Sequence, residues 1–234
     1  MSTKYELTDE AKNIYGVTLH RIRALRDIPS SGVKSGDLGG WIEKEHNLSH
    51  EGNAWVYGNA EVCGNAWVYG DARVYGDARV YDNAEVYGNA EVCVNARVYD
   101  NAEVYGNAEV YGNARVYDNA EVYGNARVYG DAWVYDNAWV YGGAEVCGNA
   151  KVRGNAKVMD LHSYAVYKNS WSSGRWFTYT HSNKKWAVGC FYGTGEELIK
   201  KAYADSELSG KCYEAIVRTQ EAIDKAIEEA KETT

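Results

Sequence analysis

The sequence predicts an all-β fold, a parallel solenoid of very short strands capped at both ends, and three observations predict it. First, one six-residue unit, Asn/Asp-Ala-x-Val-Tyr-Gly, is repeated eighteen times between Asn53 and Asp160, with Val at every sixth position from Val56 to Val158 and no insertion or deletion. Second, Ala and Val stand two apart within each unit, as Ala54 and Val56 do. In a strand they share one face and point inward, while the residue between them and the following Tyr (Trp55 and Tyr57) point outward. Third, each unit ends in turn chemistry such as Gly58-Asn59, residue types that tolerate positive φ. So short a strand cannot bury its own inward side. It must stack on the next copy, with backbone hydrogen bonds running along the stack. Disordered repeats lack Val and Tyr at fixed spacing.

A strict six-residue period of aliphatic residue, turn pair and small residue resembles the left-handed parallel β-helix of hexapeptide-repeat proteins. The resemblance implies three hexads per triangular coil and therefore about six coils. It also implies the left hand, which stacking chemistry alone would not give because parallel crossovers are normally right-handed. Six coils at about 4.8 Å make a prism roughly 29 Å long. Residues eighteen apart then form ladders. The first face carries Trp55, Arg73, Glu91, Glu109, Arg127 and Glu145; the second Glu61, Arg79, Arg97, Arg115, Trp133 and Lys151; the third Trp67, Glu85, Glu103, Glu121, Trp139 and Lys157.

Residues 1–52 form an N-terminal β cap. Lys4–Leu7 and Tyr15–Leu19 have strand character, the second continued by the alternating His20–Leu25. Ser30-Ser31-Gly32 and Ser35-Gly36-Asp37 are turns. Gly39-Gly40-Trp41-Ile42 leads through Leu48-Ser49 into the first hexad as a degenerate coil, with Trp41 or Leu48 placed to cover the open core. Val33-Lys34-x-Gly36, Gly39-Gly40-Trp41-Ile42, Asn47-Leu48-Ser49 and Gly52-Asn53-x-Trp55-Val56-Tyr57 together look like the opening segment of YdcK-like proteins of the acyltransferase class. They look equally like uncharacterised phage and prophage hexapeptide proteins, and the regular Asn-Ala-x-Val-Tyr-Gly run is closer to that set.

Residues 53–160 are the repeat and residues 161–234 an α+β cap. In the latter, Tyr164–Tyr167, Arg175–Thr180 and Trp186–Phe191 are three strand-like runs separated by turns, a small antiparallel meander rich in Trp and Tyr. Thr194-Gly195-Glu196-Glu197 is a capping box that opens a helix ending near Ser206. Ser209-Gly210 is a break, and a second helix from Lys211 to about Lys231 places Cys212, Ile216, Thr219, Ile223, Ile227 and Ala230 on one stripe. That stripe either covers the last coil or pairs with another helix. Covering the last coil is the preferred expectation, since an open solenoid end is an aggregation template.

Composition narrows the function. Of the net charge of −8, the repeat contributes most, with 8 basic against 15 acidic side chains in residues 53–160. An acidic prism argues against general nucleic-acid binding, which needs a basic footprint. Of five Cys, Cys63, Cys93 and Cys147 replace Tyr at outward positions. Cys93 and Cys147 share a face three coils apart, about 14 Å, too far to pair. Free thiols suit a reducing cytoplasm, the host's if the protein is phage-encoded. Residues 1–30 hold no signal-peptide-like apolar stretch, and no segment is long enough to span a membrane.

Resemblance to hexapeptide acyltransferases implies a catalytic His, often on a loop that leaves the coil. None of His20, His46, His50, His162 and His181 lies in the eighteen hexads, and no loop leaves them. His162, just past the last coil, is the weak candidate for a general base. A zinc site of three His cannot be built from a prism without His. The Gly residues mark corners, not phosphate loops, and no cofactor is implied. The expectation is therefore a non-enzymatic binding or scaffold protein. Its resemblances imply phage or prophage origin and inhibition of a host defence system; an acyl-CoA-dependent acyltransferase is the alternative. Trp171, Trp176, Tyr179 and Trp186 are candidates for contact with a host protein.

The chain is expected to form a homotrimer. Arg79, Arg97 and Arg115 with Tyr81, Tyr99 and Tyr117 on the second face would meet Glu85, Glu103 and Glu121 with Tyr87, Tyr105 and Tyr123 on the third face of a second copy. Each Glu follows its Arg by six residues, so the two stripes stand at equal heights, and a heterologous contact of this kind can close a three-fold ring.

Overall fold

A computed structural model describes residues 3–232. The chain divides into two compact units, Met1–Ser163 and Tyr164–Thr234. In the first, every hexad contributes one two-residue strand, from β4 (Trp55–Val56) to β21 (Lys157–Val158). These strands stack in parallel into three sheets with residues eighteen apart in register: Arg97 lies between Arg79 and Arg115, and Glu103 between Glu85 and Glu121. The amide of the residue between Ala and Val donates to the Ala carbonyl of the next coil, as Arg97 N does to Ala114 O at 2.9 Å, and that of the following residue to the Val carbonyl, as Tyr99 N does to Val116 O at 3.1 Å. Every Ala and Val at the inward positions of the hexads is fully buried.

The solenoid has about seven turns, one more than the hexad count gives. The additional turn is built by β3 (Leu38–Ile42), whose Trp41 and Ile42 pair in parallel with Glu61 and Val62, and by Leu48, which bridges to Val68. Gly40 stands where the hexads have Ala, and Asn47, fully buried, donates its amide to the carbonyl of Ala66 at 2.8 Å.

Two longer strands, β1 (Tyr5–Ile14) and β2 (Val17–Ala24), form an antiparallel hairpin that extends the second face through β3. The expected strands are displaced here. Polar residues Asp9 to Asn13 belong to β1, and Tyr15-Gly16 is the two-residue turn, with φ of 51° and 89°. Positive φ at both positions matches the right-handed twist of a hairpin. Trp41 does not plug the core. It stands at an outward position, mostly shielded by Lys12 and Arg21 over its ring, while Leu48 and Ile42 point inward and Tyr5, Leu19, Ile22 and Ile28 are buried in the hairpin and its loops.

The corners are legible in the sequence, whereas the side chains that stack at them are seen only in the structure. Asn side chains form ladders, Asn83 to Asn101 at 3.0 Å and Asn101 to Asn119 at 3.2 Å. Each such amide supplies a donor and an acceptor, so a corner column can satisfy itself.

The second unit is a four-stranded antiparallel meander and two helices: β22 (Tyr164–Lys168), β23 (Trp176–Thr180), β24 (Lys185–Val188), β25 (Phe191–Gly193), α1 (Gly195–Asp205) and α2 (Glu207–Glu232). The meander has one strand more than expected, because Gly189 at φ 58° turns the chain within the third run. The capping box forms as expected, Glu197 N donating to Thr194 Oγ1. The break between helices lies at Ser206, and Gly210 is inside α2, where a Cβ would collide with the Tyr203 ring. The buried stripe of α2 is Gly210, Tyr213, Val217 and Gln220. It is offset from the expected one, and Ile223 and Ile227 are exposed. Among the described residues, no helix is long and apolar enough to cross a membrane.

Candidate functional site

The three faces of the prism differ in how they handle charge. On the first face the ladder mixes both signs, and two of its rungs neutralise their neighbours: Arg73 pairs with Glu91 at 3.2 Å and Arg127 with Glu145 at 3.3 Å. The second and third faces stack like charges about 4.8 Å apart, a repulsive arrangement.

On the second face Arg79 Nε donates to Glu61 Oε2 at 2.6 Å, and the Arg115 guanidinium lies 4.8 Å from the Trp133 ring. Arg97, between them and exposed, has no carboxylate within 4 Å among the described residues. Tyr81, Tyr99, Tyr117 and Tyr135 stack beside the arginines, with centroids 4.9, 4.9 and 4.8 Å apart.

On the third face Tyr69, Tyr87, Tyr105, Tyr123 and Tyr141 form an unbroken stack. Their hydroxyls serve the glutamates: Tyr69 donates to Glu85 at 3.0 Å, Tyr87 to Glu103 at 2.8 Å and Tyr105 to Glu121 at 2.8 Å. Burial, then these carboxylates, hold the Tyr87 and Tyr105 hydroxyls well above the ordinary phenol range. No Lys, Arg or His lies within 4 Å of Glu85, Glu103 or Glu121 among the described residues. The structure thus places the twelve residues proposed for self-association on two ladders in register; Arg97, Arg115, Glu85, Glu103 and Glu121 have no ion-pair partner among the described residues, whereas Arg79 is paired with Glu61.

Beside the upper second face is a cleft of about 520 Å³. Ile14, Tyr15, Val17 and Leu19 of the hairpin form one wall, and Cys63, Arg79, Val80, Tyr81 and Arg97 the other. The hairpin tip is tied down by Lys12 Nζ, 2.9 Å from Glu61 Oε1. Burial, together with Glu43 and Glu61, pushes the Cys63 thiol up to about 11, so it is a neutral wall group and not a nucleophile.

His162 lies in an exposed turn, its amide donating to Asp160 Oδ1 at 2.9 Å. His181 is placed differently: its Nδ1 is 3.1 Å from Asp224 Oδ1. Asp224 also accepts from Tyr179 Oη at 2.6 Å and Gln220 Nε2 at 2.7 Å, and Gln220 accepts from Tyr167 Oη at 2.6 Å. No local motif announces this network, because Asp224 sits on α2 and His181 follows β23. Of the four aromatics proposed for partner contact, Tyr179 and Trp186 belong to the core of their unit, with Phe177, Leu198 and Val217. Their rings are spent on packing, because the meander lays this side of the sheet against the helices. Trp171 is half-buried against the same core, and Trp176 is half-buried with Lys168 over its ring.

A family model described as YdcK Beta solenoid repeat matches residues 66–82, 72–88 and 120–136. Among curated proteins nothing matches. The matched segments lie wholly within the hexads and agree with a β-solenoid repeat protein.

Proposed function

We propose that this chain is a non-enzymatic binding scaffold that acts as a homotrimer, second face against third face. The observation that carries this reading is the uncompensated Arg ladder at Arg97 and Arg115 standing at the same heights as the uncompensated Glu ladder at Glu103 and Glu121. Apposing parallel prisms would set each Arg against a Glu, with tyrosine stacks supplying apolar area. Exposed ion pairs contribute little each, so the rings would supply affinity and the charges register. Arg79 is the weak member, because it is already paired with Glu61 and its guanidinium lies 6.0 Å from the Tyr15 ring at the hairpin tip. Light scattering on Arg97→Glu with Arg115→Glu tests the reading. The expected outcome is a trimer for the native chain and monomer for the double variant, with restoration by Glu103→Arg and Glu121→Arg in the same chain. A native monomer at tens of micromolar overturns it.

The likeness of the opening segment to phage and prophage hexapeptide proteins supports phage origin, with a host defence protein as the partner. Plaque counts on hosts with and without a defence system, in the presence of the expressed protein, test that role.

One observation favours a second reading. His181 is held by a carboxylate in the manner a general base requires, so the acyltransferase alternative rests on His181 and Asp224 and no longer on His162. Acetyl-CoA turnover abolished by His181→Ala would establish it; turnover abolished only by His162→Ala would return the role to the turn.

A further inference from the structure

On the second face the column that holds Tyr81, Tyr99, Tyr117 and Tyr135 begins one coil earlier at Cys63. The four rings stack within 6° of parallel. Cys63 is therefore a missing rung: the next ring of the column would lie over Tyr81, and a thiol stands there instead. The third face shows the complete form, with Tyr69 in the corresponding coil stacked on Tyr87 at 4.7 Å.

A missing ring need not leave a space. On the first face Cys93 interrupts the column below Tyr75, and there the gap is closed: the Tyr75 hydroxyl contacts the Cys93 thiol and donates to Glu91, and Cys93 is only 8% exposed. At Cys63 the gap stays open. It is part of the cleft of about 520 Å³ roofed by the hairpin tip.

We propose that this cleft binds a planar aromatic monoanion of the aryl-carboxylate class, whose ring completes the column over Tyr81 and whose carboxylate meets Arg97. The hairpin wall supplies the apolar contacts, through Ile14 and Val17. Tyr15 closes the mouth. It is 96% exposed and sits at φ 51°, a conformation costly for a bulky residue, with its ring over Arg79. The charges define the ligand further. Glu61 is held by Lys12 and Arg79, and Glu43 accepts from the Gly64 amide at 2.6 Å. Arg97 has no carboxylate partner among the described residues and is the cation a ligand would take; ligand in the cleft and pairing of Arg97 with Glu103 of a second copy therefore exclude one another at this rung. Three carboxylates, Glu43, Glu61 and Asp82, line the same cleft, and they would repel a polyphosphate but tolerate one compensated negative charge. Stacking on an aromatic platform is tolerant of ring identity, so the site selects by flatness and charge.

The test is calorimetric titration of the full chain with 2-naphthoate and with neutral 2-naphthamide. The native chain is expected to saturate with 2-naphthoate below about 1 mM. Cys63→Tyr, which restores the rung present at Tyr69, is expected to weaken binding at least roughly tenfold while melting and circular dichroism stay unchanged. Arg97→Gln is expected to weaken naphthoate roughly tenfold and leave naphthamide unaffected. Should Cys63→Tyr lose its fold, Tyr15→Ala at the exposed mouth carries the same prediction of weaker binding. Absence of saturable binding by the native chain overturns the proposal, as does equal binding by native, Cys63→Tyr and Tyr15→Ala.

Discussion

The Tyr87 hydroxyl donates to the Glu103 carboxylate at 2.8 Å, joining one coil to the next through side chains alone. Repeated at Tyr69–Glu85 and Tyr105–Glu121, the bond ties the ring stack of the third face to its carboxylate ladder. The phenol can donate this bond only while it keeps its proton.

A steep alkaline transition follows. Tyrosines within the two stacks are shifted upward, Tyr99 to about 12 through burial, and Tyr87 and Tyr105 through burial and the adjoining carboxylates. A phenol whose folded value lies above its unfolded value, about 10, favours the folded state fully below pH 10. That contribution is lost as pH rises toward 12 and beyond. Phenolate absorbance should therefore rise together with loss of the circular dichroism signal, not before it. Free ionisation of most tyrosines near pH 10 in a folded chain would contradict the stacked ladders.

Lys4 has the opposite sign. It is fully buried, its Nζ donating to Ala54 O at 2.8 Å, and burial lowers it to about 8. Below pH 8 folding must bury a charge. Between about 8 and the ordinary Lys value of 10.5 the unfolded chain binds the extra proton, so stability contributed by this group rises with pH. The native chain should gain melting temperature between pH 8 and 10 relative to Lys4→Met, and the two should run parallel below pH 7. Parallel curves across the whole range would place the ammonium in solvent.

The solenoid was legible because its signals are local and repeated. Ala108 and Val110 point inward for the same reason as Ala54 and Val56, so one correct assignment was right eighteen times. What the repeat hid was its own beginning. Gly40-Trp41-Ile42 builds a full turn without the hexad letters, and its Trp41 looked like a plug because a large apolar residue beside an open core suggests one. The hairpin misled differently: Asp9, Glu10 and Lys12 are strand residues on an edge whose outer side is wet, and polarity there carries no strand signal. In the second unit the α2 stripe was misplaced because Gly210 reads as a breaker, whereas its missing side chain makes room for Tyr203. The cleft depends on Cys63 lying against a hairpin tip some 48 residues earlier in the chain. Only the absence of Tyr at that one rung is visible in the sequence, where it reads as a free thiol.

Gly40→Ala should destabilise the first turn although it restores the hexad consensus. A Cβ on Gly40 would lie 2.8 Å from the Ala60 carbonyl oxygen and 2.6 Å from Val56 Cγ1. The clash includes backbone that is itself held by the ladder, Trp41 N donating to Ala60 O at 2.9 Å. Overpacking of this kind costs about 1–3 kcal/mol, against a gain of under about 1 kcal/mol from removing a flexible glycine. A fall in unfolding free energy by chemical denaturation is the expected result. Unchanged or greater stability would mean that residues 38–42 do not pack as a coil.

Val94→Gly should do the reverse. The corner before Asn95 is occupied elsewhere in the repeat by Gly or Asp at positive φ, and Val94 adopts φ 64°. A β-branched residue is the worst fit for that region, because its branched Cβ crowds the neighbouring carbonyl. Val94 is 48% exposed, so its removal forfeits little buried area. The backbone bond at this corner, Asp77 N to Val94 O at 2.7 Å, does not involve the side chain and would persist. Relief of left-handed strain is worth roughly 1–2 kcal/mol, partly offset by the added freedom of glycine in the unfolded chain, about 0.5–1 kcal/mol. The net expectation is a gain of about 0.5–1 kcal/mol, read as a higher denaturation midpoint at unchanged slope. Destabilisation by Val94→Gly would show that the valine side chain packs against a surface outside its own coil, and self-association of the first face would then be the property to measure.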